Sequence, residues 1–286
     1  MFDRIISVDW SGAARETTGV DLRIAAFDAA LNQSRIVPRP HYRGPLVRWS
    51  RQAFRSWLAK ELQDKRPALV AMDFGFGLPW GSDQAVFGVA GWREMIHAIA
   101  ERYEEKGTAR ETAQSIGNDQ RFGGHGPYRF DSDRNDFRFY ADKGVAYYRL
   151  TELIAPQAIS QWYLGSGGSV GFHTISGLSA INHLIQERES GRVDFVVWPQ
   201  ETFAPDGTRH VLAESYPAIC REPGDFGPCR DQHQRDAWKV LQMLLMRRND
   251  GTLRDLFEVK ERPFGRITGI TFQQQIQFEG FILGIK

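Results

Sequence analysis

Apolar and polar positions along this chain change period several times, and each change predicts an element. Residues 4–9 (RIISVD) and 20–30 (VDLRIAAFDAA) read as strands, and Gln33 to Val37 as a weaker third that Pro38 and Pro40 stop. Three strands this close, joined by short turns, predict an antiparallel meander. Between 48 and 65, Phe54, Trp57, Leu58 and Leu62 recur at helical spacing, and Pro67 ends the pattern. The run ALVAMDF at 68–74 is apolar without alternation, as a central strand covered on both faces requires. From about 84 to 192 the character changes. Helices are expected at 91–106, 151–163 and 175–189, around a Gly- and Arg-rich stretch (121–144) with no clear period, so this region reads as an insertion capping the sheet. Strands resume at 194–199 and 209–217, separated by an APDG turn at 204–207, and a helix follows from about 232 to 248. The last segment, FQQQIQFEGFILGIK, reads as helical or mixed.

Four acidic residues stand where these elements would deliver them to one place. Asp9, Asp73 and Glu214 each close a short apolar run that Gly or Pro soon follows, the mark of a buried strand ending in a turn. Asp236 lies four residues before Val240, on the stripe formed by Ala237, Val240, Leu241, Leu244 and Leu245. A carboxylate on a core-facing stripe is costly unless something cationic meets it. Each acid has a plainer use when taken singly. An Asp between a strand and Gly suits a turn hydrogen bond, Glu214 suits an arginine, and Asp236 in a first helical turn suits the helix dipole, worth about 0.3–1 kcal/mol. Gathered together, they need a cation between them, and Mg²⁺ or Mn²⁺ is the expected partner of an all-oxygen set. The chemistry such a set suits is phosphodiester hydrolysis, with the acids as metal ligands and catalytic groups. His233, three residues before Asp236, suits a proton shuttle or outer ligand as well as an ordinary histidine at a helix start.

Composition narrows the setting. The 286 residues carry a formal net charge of +1, so any nucleic-acid surface has to be a local patch. Residues 121–149 are the candidate, interleaving arginines with Phe and Tyr, a mixture suited to unpaired bases and phosphates. Six basic residues there stand against four aspartates, and the aromatics equally suit a small core of the insertion. Two cysteines, Cys220 and Cys229, are too few for a disulfide scaffold and fit a reducing cytoplasm. With His210 and His233 they could be drawn as zinc ligands, but no close CxxC pair is present and two free thiols are expected. The N-terminus lacks a signal-peptide layout, and no run approaches the ~20 apolar residues of a membrane span. A cytoplasmic protein with no obligate protein partner is expected.

Strand, strand, strand, helix, strand, then further strand and helix is the element order of a ribonuclease H-like domain. The expected fold is therefore α/β, with a mixed five-stranded sheet, flanking helices and a mainly helical insertion after the fourth strand. One domain would span 1–286, with the insertion at about 84–192. The same residues carry a family resemblance. VDWSG (8–12), AMDFGFGLP (71–79), VWP (197–199), AESYPA (213–218), HQRDAW (233–238) and EGFILGI (279–285) together resemble the domain-of-unknown-function family 429, whose members are predicted to be ribonuclease H-like nucleases. The resemblance implies Asp9, Asp73, Glu214 and Asp236 as the acidic metal-site positions, and it names no substrate. It leaves the long insertion unexplained, and Glu61, the one acid on the first helix that could add to the set, sits near that helix's C-terminal end and is not assigned.

Two other function classes compete with the hydrolase. VDWSG partly resembles the first phosphate loop of the actin, sugar-kinase and Hsp70 phosphotransferases, and GFGLPWG (75–81) could be a second, although no duplicated half is visible. The glycine-rich runs at 75–81, 123–126 and 165–171 lack GK[ST] and GxGxxG, and read as turns. A non-catalytic binding module with a vestigial acidic cluster is the third reading.

Overall fold

The computed structural model describes residues 2–12, 17, 19–39, 48–118, 126–129, 137–155, 157–165, 170–261, 265 and 267–285. Its centre is a mixed sheet of six strands: β1 (Arg4–Asp9), β2 (Arg23–Asp28), β3 (Gln33–Ile36), β4 (Ala68–Met72), β5 (Phe195–Trp198) and β6 (His210–Glu214). Their order is β3-β2-β1-β4-β6-β5. The first three form the expected antiparallel meander, while β4, β6 and β5 run parallel to β1 and to one another. Five strands were expected and six are present. Phe195–Trp198 and His210–Glu214 both join the sheet, because the connection 199–209 carries the chain back to the opposite end rather than folding at once into a hairpin.

Eight α-helices flank the sheet among the described residues: α1 (Arg51–Glu61), α2 (Trp92–Lys106), α3 (Ala109–Gly117), α4 (Phe137–Asp142), α5 (Leu150–Ile154), α6 (Val170–Glu189), α7 (Gln232–Asn249) and α8 (Phe272–Glu279). The strand alternation sorts them into two layers. Ile6, Val8, Val70, Met72 and Leu212 face α1, α2, α3 and α6 through Phe54, Leu58, Ile96, Ile99, Ile116, Leu178 and Ile181. Ile5, Leu69, Ala71, Val211 and Ala213 face α7 and α8 through Val240, Leu241, Leu244 and Ile276. The chain between β4 and β5 is mainly helical, as expected, and it shares the first of these cores with the sheet.

The helix expected over 151–163 stops at Ile154. Ala155 is extended (φ −93°, ψ 100°), the conformation preferred immediately before a proline, and Pro156 is next in sequence. α1 starts at Arg51 because the Ser50 side chain accepts the Ala53 N–H at 3.2 Å. Among the described residues no helix is long and apolar enough to cross a membrane.

Candidate functional site

Val8 of β1 lies opposite Met72 of β4 in a parallel register, and the Asp73 N–H continues the ladder to the Val8 carbonyl at 3.0 Å. Asp9 and Asp73 therefore occupy equivalent positions one step beyond, on neighbouring strands about 4.8 Å apart. By alternation both point to the α7 face. The start of α7 is pinned over these strand ends. Asp231 caps the helix by accepting the Gln234 N–H at 2.7 Å, and its other oxygen accepts Arg23 Nε–H at 3.0 Å from the residue paired with Asp9. That anchor places His233 Nδ1 2.8 Å from Asp9 Oδ2. Asp236 follows on the same helical face, half-buried, and accepts from Gln232 Nε2 at 3.0 Å.

The charges of the three aspartates meet. Burial pushes the Asp73 carboxyl well above its ordinary range, and the negative fields of Asp9, Asp236 and Glu214 push the same way. Asp9 is pushed up to about 6, because burial and Asp236 outweigh the hydrogen bond and charge of His233 and the charge of Arg23. His233 moves up as well, chiefly through its hydrogen bond to Asp9. Burial and mutual repulsion at the strand ends thus favour the protonated, neutral forms of Asp9 and Asp73.

Glu214 is brought close but turned away. It pairs with Met72 across the β4–β6 ladder, one residue short of Asp73, so alternation directs it to the opposite face. There Arg149 meets both of its oxygens, Nη1 at 2.7 Å and Nη2 at 2.6 Å, and the Phe76 N–H adds a bond of 2.9 Å. Arg149 also donates from Nε to Glu152 at 2.7 Å and from Nη1 to the Glu279 carbonyl at 3.0 Å. Burial opposes charge on Arg149, yet Glu214 and Glu152 together hold its pKa above the ordinary value. Glu214, expected as a ligand or water-orienting base, lines one small cavity together with Asp73, and its oxygens are engaged by Arg149 and the Phe76 N–H. Arg149, Glu152 and Glu279 were not singled out from sequence; at the start of α5 the Glu152 carboxylate accepts the Arg149 N–H at 2.8 Å.

A small cavity of ≈ 50 Å³ opens beside Asp73, lined by Gly75, Gln161, His173, Ser215 and Tyr216 among others. The Ser215 hydroxyl is buried with no hydrogen-bond partner. His173, on α6, keeps some exposure, but burial followed by the charges of Arg51 and His233 lowers its pKa to about 4, leaving a neutral imidazole. Sequence reasoning passed over it. Its place depends on Gly12, where a Cβ would stand 2.3 Å from the Phe172 carbonyl carbon and 2.4 Å from the His173 nitrogen. In VDWSG, Trp10 is buried and donates Nε1–H to Ser176 Oγ at 3.0 Å. The first turn therefore packs under α6, and the Phe76 N–H of the second glycine-rich loop is taken by Glu214.

Among the described residues, no three His, Cys, Asp or Glu side chains already stand in a metal-holding arrangement. The donor chemistry of Asp9, Asp73 and Asp236, hard oxygens with mutual repulsion, is of the kind that suits Mg²⁺ or Mn²⁺, and the small cavity beside them is lined by Asp73. Cys220 and Cys229 are free thiols against the Tyr216 and Gln234 carbonyls, and His210 Nδ1 accepts the Ala68 N–H at 3.0 Å, so they do not gather with His233.

The proposed nucleic-acid stretch is described only in part. Arg121, Phe122, Phe130 and Arg134 lie outside the described residues. Tyr128 and Tyr140 are buried around Trp162, Arg129 lies over the Tyr140 ring, and Arg149 is inside the ion-pair hub, so these members build a core. No protein-family model matches the chain, and neither a curated protein nor a solved structure does.

Proposed function

We propose that this chain is a metal-dependent phosphodiesterase of the nuclease kind on a ribonuclease H-like sheet, a member of the family it resembles. The observation that carries this reading is the register of Asp9 and Asp73 at adjacent parallel strand ends under the start of α7, which adds Asp236 and His233. An antiparallel β1–β3 meander followed by parallel β4, with acids at the C-terminal strand ends, supports the fold assignment. Asp9, Asp73 and Asp236 would hold the cation, which when bound polarises a phosphoryl oxygen and acidifies an attacking water. The charge of Arg23 favours the ionised form of Asp9. His233 keeps the Asp9 carboxylate oriented and holds a proton at Nδ1. Glu214 acts through the loop it anchors.

Purified protein should cut single- or double-stranded nucleic acid with Mg²⁺ or Mn²⁺ and not with EDTA, and an Asp9→Asn preparation should be inactive. His233→Ala, which removes an orienting partner, should lower the rate by about 10–100-fold. Equal activity in wild type and Asp9→Asn would mean a contaminant. Calorimetry without divalent binding at millimolar metal would instead favour the non-catalytic module.

A further inference from the structure

The larger clefts of the molecule are not lined by the site aspartates. One of ≈ 1000 Å³ is bordered by Phe203, Phe257 and Phe272 with charged residues of both signs. A second, of ≈ 820 Å³, opens beside the loop that follows Asp73, and its walls carry chemistry the phosphodiesterase reading does not use. Trp80 and Trp92 form its aromatic part, and Gln84, Gln200, Gln274 and Gln277 its polar part. The Trp80 plane is set by an edge contact with Phe278, with ring centroids 5.2 Å apart at 70°. Trp92 gives its Nε1–H to the Phe76 carbonyl at 2.6 Å, so what it offers the cleft is carbon surface.

The carboxamides are incompletely satisfied. Gln200 Nε2 donates to the same Phe76 carbonyl at 3.2 Å, while its Oε1 is buried with no partner. Gln274 Oε1 accepts the Thr271 N–H at 2.8 Å at the start of α8, which leaves Nε2 for the cleft. Asp83 and Lys143 balance one another there, and Asp83 already accepts the Gly91 N–H at 2.7 Å.

This combination selects a ligand class. A phosphate or nucleotide would call for an excess of cations, which the cleft lacks. A hydrocarbon would leave buried carboxamides unpaired. A pyranose ring meets both walls: its C–H face lies on indole, and its adjacent hydroxyls each donate and accept, as a carboxamide does. The volume falls within the about 300–1,000 Å³ usual for small-molecule sites. We propose that this cleft binds a short neutral oligosaccharide, independently of the phosphodiester site.

The test titrates the full chain with maltotriose, cellotriose and triacetylchitotriose, followed by tryptophan fluorescence and saturation-transfer NMR. At least one should give saturable binding with its ring C–H protons closest to the protein. Trp80→Ala should weaken that binding by about tenfold or more. Gln277→Ala, on the half-buried outer face of α8, should weaken it by about threefold and serves as the decisive variant if Trp80→Ala does not fold. Adding Mg²⁺ or EDTA should change nothing, which separates this site from the proposed metal site. The inference is overturned if none of the three sugars binds at about 10 mM, or if both folded variants bind like wild type. It is equally overturned if single-stranded oligothymidylate saturates the cleft in place of a sugar.

Discussion

Arg149→Met is expected to destabilise the protein severely. The guanidinium is buried and forked onto Glu214, with a further bond to Glu152, and both carboxylates are themselves buried. Breaking one buried pair by removing a partner typically costs about 3–5 kcal/mol. Two carboxylates lose their counter-ion here, against a total stability of about 5–15 kcal/mol for a natural domain. Burial already raises the Glu152 carboxyl while Arg149 is present. Glu279 sits beside this hub, and burial pushes it up to about 7 although it accepts the Leu150 and Trp80 N–H groups. The expected result is a chain that unfolds at low urea or fails to accumulate in soluble form at pH 7. Arg149→Lys should fall between, since an ammonium cannot reproduce the fork. The triple variant Arg149→Met, Glu152→Gln, Glu214→Gln should recover much of the loss, because it removes the charges that the single change strands. An unfolding free energy from urea titration within about 1 kcal/mol of wild type for Arg149→Met would refute the hub as the principal polar support.

The same hub marks the limit of what the sequence displays. Asp9 and Asp73 are legible because their strands are short, apolar and ended by turn residues. Asp236 is legible because helical phase alone ties it to Val240. Glu214 carries the same strand-end signature, but its face depends on how β6 registers against β4, and a shift of one residue reverses every side chain. No local pattern reports that register. All six strand runs are legible in the sequence, and only their number in the sheet is not, since APDG at 204–207 reads as a simple turn while the whole connection 199–209 acts as a parallel crossover. The early end of α5 was readable from Pro156 and was outweighed by helical spacing beyond it. His173 has no sequence signal of its own. Its position comes from the approach of α6 to Gly12, a contact across 160 residues of chain that only the folded backbone creates. The aromatic run after Tyr128 shows the reverse problem, because core packing and base stacking draw on the same residue types.

Asp73→Asn should separate stability from activity. In the wild type, Asp73 and Asp9 both have folded pKa values raised above the ordinary carboxylate value, so the folded state holds their protons more tightly than the unfolded chain does. Their contribution to stability is therefore fully present below about pH 4, where both states are protonated relative to neutral solution, and is lost as pH rises through about 6 and beyond. Glu279 acts in the same direction up to about 7. The half-buried Asp64, held down to about 2 by Arg66, acts in the opposite direction and in a lower window. Melting followed from pH 5 to 8 without metal should thus show a falling transition temperature, and Mg²⁺ should restore it most at the alkaline end, where protons no longer compete for the oxygens. Asn at position 73 keeps the shape and removes the repelling charge. At pH 8 without metal the variant should gain about 1 kcal/mol, or roughly 2–4 °C, over wild type. It should also lose the Mg²⁺-induced shift, and phosphodiesterase activity should fall by about 10²–10³-fold. If Asp73→Asn instead melts lower than wild type at pH 8 and keeps its response to Mg²⁺, the aspartates at the strand ends are structural turn caps, and the hydrolase reading fails with them.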